Sequence, residues 1–153
     1  MKRFRFSLEK VLRLRSQETE QAKRALAVAL AAEARARQTA AEAYATLRDR
    51  TTEATARERL GLTAYEFGSL RTFLARLQRE AVAADLAVTQ AEERTQRQRM
   101  ALLAARRRER AMEKLKERRL EQYQLEALRE EQKELDEYGN RPGLNSSGSE
   151  PDI

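Results

Sequence analysis

A seven-residue apolar spacing runs almost the whole length of this chain and is broken convincingly only once, at Leu60-Gly61-Leu62-Thr63-Ala64-Tyr65-Glu66-Phe67. Gly61 suits the residue just past a helix end, because glycine takes a left-handed backbone at no steric cost. Arg57 and Arg59 stand in the preceding turn, where cations favour the C-terminal end of a helix dipole. Thr63 and Glu66 then form a T-x-x-E capping box, with Leu62 and Phe67 at the positions of a hydrophobic staple. A stop and a start within a few residues predict two helices folded back on each other, side by side and antiparallel. The spacing predicts helix 1 over about 7–59, a turn at 60–63, and helix 2 over about 64–138.

The first helix is expected to open at Ser7 as its N-cap, with Phe6 and Val11 as a staple. One register on it reads Leu12, Thr19, Leu26, Glu33, Ala40, Leu47, Ala54; its companion reads Leu8, Arg15, Ala22, Ala29, Ala36, Ala43, Arg50. The second helix answers with Phe67, Leu74, Ala81, Val88, Thr95, Leu102 and with Leu70, Leu77, Ala84, Ala91, Gln98, Ala105, Met112. These are the two seams of a coiled coil, apolar but narrow and rich in alanine. Glu9–Arg13, Glu20–Arg24, Glu33–Arg37 and Glu53–Arg57, each four apart, are expected to pair along the surface for about 0.2–0.5 kcal/mol apiece. Folding at Gly61 sets Leu47 near Leu77 and Leu12 near Met112. The first helix then ends near residue 117, and the second overhangs it by about 20 residues, roughly 30 Å at 1.5 Å per residue. In that overhang Leu120, Leu125, Leu128, Leu135 and Tyr138 spread around the cylinder. Residues 139–153 have nothing apolar to bury and are expected to be a disordered tail.

This pattern sets the fold class: an all-α, antiparallel two-helix coiled-coil hairpin that buries a seam. Charged residues make up 37% of the chain and aromatics 5%, the profile of a long helix, so no enzymatic pocket is expected. Neither cysteine nor histidine occurs, which removes thiolate metal sites and the commonest catalytic base. Glu92-Glu93 and Glu130-Glu131 are sequence neighbours on a helix; their side chains diverge and form no acid–base dyad. No glycine-rich phosphate loop is present. The reading is of a non-enzyme with no catalytic residue, no metal, no cofactor and no small-molecule substrate. No apolar run approaches the roughly 20 residues of a membrane span, and the basic start lacks the apolar region of a signal peptide. A cytoplasmic protein is expected.

Charge is distributed unevenly. Residues 94–119 carry eleven Lys/Arg against three acids, a balance of +8, whereas residues 120–137 carry two against seven, a balance of −5. Lys2, Arg3, Arg5, Lys10, Arg13 and Arg15 fall opposite the basic block, so the open end of the hairpin is basic. A solvated face is one reading, and an acidic protein partner met end-on is another. Nucleic acid is a poorer fit, since the arginines face all sides, no aromatics interleave and no recognition module is present. A basic coiled-coil scaffold or nucleic-acid-associated helix remains the alternative function.

The opening Phe4-Arg5-Phe6-Ser7-Leu8-Glu9-Lys10-Val11-Leu12-Arg13-Leu14-Arg15 resembles the N-terminal signature of the flagellar export FliJ family. The run Met112-Glu113-Lys114-Leu115-Lys116-Glu117-Arg118-Arg119, with Tyr123 and Glu130-Glu131-Gln132-Lys133-Glu134-Leu135-Asp136-Glu137, is similar to its C-terminal signature. The resemblance covers about residues 1–138. It implies a hairpin like the central stalk of rotary ATPases, an accessory part of the flagellar type III export apparatus. The implied partners are the hexameric ring of the flagellum-specific ATPase, the membrane export-gate protein and export chaperones. The implied location is the cytoplasm, at the inner membrane under the flagellar base. It places ATPase-ring contacts at Leu8, Val11, Leu12, Arg13, Arg15, Met112, Lys114, Lys116, Arg118, Arg119 and Tyr123. It places export-gate contacts at Phe73 and Leu77, with Tyr44 and Leu47 as their counterparts on the first helix. Leu47 and Leu77 are also seam residues, and Tyr44 and Phe73 flank the seam.

Overall fold

The structure, a computed structural model, describes residues 3–140. It consists of two helices, α1 (Glu9–Leu60) and α2 (Ala64–Gly139), packed lengthwise as an antiparallel hairpin. No strand occurs among the described residues.

The turn forms as its residues dictate. Gly61 takes φ 92°, ψ 132°, and its N–H donates to the Glu58 carbonyl at 3.2 Å. On the far side the Thr63 hydroxyl accepts from the Glu66 N–H at 3.2 Å, and the Glu66 carboxylate accepts from the Thr63 N–H at 2.9 Å. Two of the orphan donors at the start of α2 are thereby satisfied, and Thr63 is held extended at φ −69°, ψ 158°. Backbone and hydroxyl donation from Thr63 lower the Glu66 pKa below its ordinary value.

The core is the seam. Thr19, Ala40 and Ala54 of α1 are buried, as are Ala81, Thr95, Leu102 and Ala105 of α2, and all lie in the registers read from the sequence. Leucines of the same registers, such as Leu12, Leu26, Leu74 and Leu77, are half-buried, since two helices can cover a stripe but not enclose it. Phe67, at the tip end of one register, lies 41% exposed with the Arg71 guanidinium 5.1 Å from its ring centre. Alanine lets the backbones approach closely but contributes little burial per residue.

Two sequence expectations change. First, α1 begins at Glu9, and Leu8 at its N-cap makes no side-chain cap. The Ser7 hydroxyl instead accepts from the Arg119 guanidinium at 2.7 Å. Phe6, only 8% exposed, lies under that guanidinium. A charge-assisted bond across the hairpin outcompetes a local cap. Second, of the four surface pairs expected four apart, Glu33–Arg37 is present at 2.7 Å, while the other glutamates pair elsewhere. Glu20 takes Lys23, Glu53 takes Arg50, and Glu9 takes Lys116 across the hairpin.

Cross-helix bonds fix the alignment. Lys116 meets Glu9 at 2.9 Å, Arg37 meets Glu92 at 2.8 Å, and Tyr44 donates to Asp85 at 3.0 Å. Leu12 therefore lies level with the Met112 region, as expected, and Leu47 lies a few residues past Leu77. Beyond Ala127 every described residue of α2 is exposed, so the helix projects past the described part of the N-terminal segment. The tail expected at 139–153 lies, from residue 141 onward, outside the described residues.

Candidate functional site

The open end is a composite of both termini of the hairpin. Residues 3–8, without regular structure, lie back along α2 before α1 begins. The Phe4 ring stacks on Tyr123 with centres 5.5 Å apart and planes tilted by 50°. Phe6 lies beneath Arg119, its ring centre 5.7 Å from the guanidinium carbon. Ser7 and Glu9 then take Arg119 and Lys116. Aromatic stacking, a cation–π contact, a charge-assisted hydrogen bond and an ion pair follow one another along six residues, Phe4 to Glu9. Each is modest alone; together they strap the N-terminus to α2.

This strap divides the basic block. Lys116 and Arg119 hold the N-terminal segment, and Arg15 is occupied by Glu18 at 3.0 Å. Arg13, Lys114 and Arg118 are exposed. Arg110 bridges Glu113 and Glu117 at 3.1 and 3.7 Å. Leu8, Val11, Leu12 and Met112 are half-buried between the helices. The strap contacts differ from the sequence reading, which gives Phe6, Ser7 and Glu9 local roles as staple, N-cap and surface pair and Phe4 a place only in the family signature. The aromatic spacing Phe4–Phe6 before a helix start was the available signal, since alternation in an extended segment turns both rings to one side.

The four residues assigned to the second surface do not form one patch. Tyr44 is 41% exposed and Phe73 40%, so both present ring surface to solvent. Tyr44 lies opposite Asp85, twelve residues beyond Phe73 on α2, or about 18 Å along the axis. Leu47 and Leu77 lie half-buried in the seam between them. Asp85, accepting the Tyr44 hydroxyl proton, raises the phenol pKa above its ordinary value. Phe73 joins Tyr65, Ser69, Thr72 and Arg76 along an open trough on the outer side of α2, floored at Gly68.

Among the described residues, no group of carboxylates is placed to hold a metal ion, and no helix is long and apolar enough to cross a membrane. No characterised protein and no solved structure matches the chain. One family model does, that of the flagellar FliJ protein, and it matches residues 4–147, from the first strap aromatic through the turn and all of α2. The hairpin with its strapped open end therefore belongs to the flagellar FliJ family, a non-catalytic component of flagellar export.

Proposed function

We propose that the chain is a stalk-like accessory of the export apparatus, its open end engaging the ring of the flagellum-specific ATPase and its middle and tip engaging the membrane export gate. Delivery of export chaperones and their cargo follows from the second contact. The observation that carries this reading is the open end itself. The strap ties the N-terminal segment to α2, and it leaves Arg13, Lys114 and Arg118 as exposed cations where the two-helix part opens, about 30 Å short of the end of α2 at Gly139. A rod with a basic collar behind a projecting single helix suits end-on insertion between acidic or carbonyl-rich loops. Of the contacts assigned to the gate, Tyr44 and Phe73 are the two that offer exposed ring surface.

The division of the basic block sharpens the test. Replacing Lys116 or Arg119 would disturb the strap as well as the surface, so neither reports on a partner cleanly. Lys114→Gln with Arg118→Gln removes two exposed charges, and glutamine has similar helix propensity. The variant is expected to keep its helix content and to bind the ATPase with a slower association rate. The difference should shrink at high salt, because rim charges act chiefly on encounter. Equal association rates for the variant and the unaltered chain at low salt would make this block a solvated face and remove the ring contact from the proposal.

A further inference from the structure

The outer side of α2, turned away from α1, carries a second heptad stripe between residues 100 and 138. Met100 and Leu103 begin it, three apart, and Leu128, Leu135 and Tyr138 continue it in the same phase. These positions are 56%, 45%, 61%, 70% and 72% exposed. The seam positions of the same stretch, Leu102 and Ala105, are buried against α1. The phase differs from the seam by about a third of a turn or more, so the two stripes face opposite ways. Between the apolar ends the stripe is charged and sorted by sign: Arg107 and Arg110 toward the hairpin, Glu121 and Glu131 toward the overhang, all exposed.

We propose that this stripe is a docking surface for a second copy of the chain, with the two α2 helices antiparallel about a two-fold axis near residue 119. The stripe matches itself at its two ends in that arrangement, while Leu128 of each copy falls opposite Arg110 of the other. Setting Leu103 of one copy against Leu135 of the other also sets Met100 against Tyr138, and Arg107 against Glu131. Alongside, Arg106 falls level with Glu134. Antiparallel pairing alternates the two positions of a heptad across the interface, and each of these pairs joins one of either kind. The sign of the charge follows the same logic. In this register residues 101–118 of each copy, with seven Lys/Arg against three acids, lie beside the −5 stretch at 120–137 of the other. A parallel pairing would instead put like beside like along the whole length. At the axis Glu117 and Glu121 of both copies converge, an unfavourable layer, but Arg118 of each copy flanks it. The overlap from residue 100 to residue 138 would run about 58 Å at 1.5 Å per residue. Its apolar layers sit at the two ends, and its middle is held by charge, so the pairing is reversible and sensitive to salt. Pairing would cover Lys114 and Arg118 and so compete with the ATPase contact; the pairing itself does not depend on that contact.

Cysteine is absent from the chain, so introduced thiols report cleanly. Two full-length single variants, Leu103→Cys and Leu135→Cys, are oxidised separately and then as a mixture, at high protein concentration and low salt. The antiparallel pairing is expected to give a disulfide-linked dimer in the mixture and little in either variant alone, because in that register neither position faces itself. In sedimentation equilibrium the unaltered chain should show a dimer that Leu135→Glu abolishes, with helix content unchanged. A mixture that cross-links no better than its components would overturn the proposed register. An unaltered chain that sediments as monomer throughout would overturn the docking surface. Both measurements use the chain alone, so they stand apart from any result with the ATPase.

Discussion

Two threonines in the seam offer a matched test of what a buried hydroxyl costs here. Thr19 of α1 is 3% exposed and Thr95 of α2 is 1% exposed, each at a heptad position facing the other helix. The Thr19 hydroxyl donates to the Arg15 carbonyl at 3.1 Å, one turn back along its own helix. The Thr95 hydroxyl has no hydrogen-bond partner. A buried hydroxyl without a partner costs about 1–3 kcal/mol relative to one in water. Valine has nearly the same shape, the same branching at Cβ and a similar helix propensity. Thr95→Val therefore deletes the unsatisfied group and little else, and should stabilise the hairpin by about 1–3 kcal/mol.

The same substitution at Thr19 removes a bond that is made. The net worth of such a bond is about 1 kcal/mol, and the Arg15 carbonyl keeps its helical partner after the change. Thr19→Val should lie between neutral and about 1 kcal/mol destabilising. For a chain of this size, 1 kcal/mol moves a melting midpoint by about 2–4 °C, so the two variants should separate by several degrees in opposite directions. Melting followed by circular dichroism, with a urea titration as a check on two-state behaviour, reads the difference. If both valines shift the midpoint equally, hydroxyl satisfaction is not what distinguishes the sites. If Thr95→Val destabilises, its hydroxyl is bonded in solution and the seam at that level is wet.

Phe6→Ala should loosen the open end by a few kcal/mol, near the low end of the about 3–5 kcal/mol for a core phenylalanine, because the ring lies at the end of the fold. Amide exchange should quicken around residues 4–12 and 115–123 and stay unchanged near the turn; a uniform change would mean that the strap is not a local unit. Glu66→Gln should remove a pH dependence of the tip. The Glu66 pKa is lowered in the fold, so its contribution is present above its ordinary value of 4.5 and is lost as pH falls through the folded value. Acid titration of tip stability should therefore flatten in the glutamine variant, and an unchanged profile would show that the capping carboxylate is not the titrating group.

How much of this was legible in the sequence depends on the range of each interaction. The turn was readable because every bond in it is local: Gly61 needs only its own backbone, and Thr63 needs a glutamate three residues on. The seam was readable because a heptad repeats over many turns, and one exposed phenylalanine at the tip does not hide it. The start of α1 was misread for the opposite reason. Ser7 is a good N-cap by local rules, but its hydroxyl is taken by Arg119, 112 residues away in sequence. No window of sequence contains both. The Glu9–Arg13 pair fails similarly, since Glu9 has an acceptable partner four residues on and a better placed one on the other helix, whereas Glu20 and Glu53 take partners three residues away on their own helix.

The basic block shows what the hairpin adds to such a reading. In the sequence, Lys114, Lys116, Arg118 and Arg119 are four similar charges within six residues. The helix turns them to different sides, and α1 then sorts them. Lys116 and Arg119 face the N-terminal segment and bind it; Lys114 and Arg118 face outward. The same sorting applies to the leucines of the overhang. Leu128 and Leu135 look scattered when compared with the seam, because they are out of phase with it. α1 defines the side of α2 opposite the seam at Met100 and Leu103, and the leucines of the overhang continue that phase beyond the reach of α1. A long helix has no inside of its own. Its partners decide which of its repeats is core and which is surface, and an amphipathic stripe left over after the first partner is seated is the physical form that a second partner's site takes.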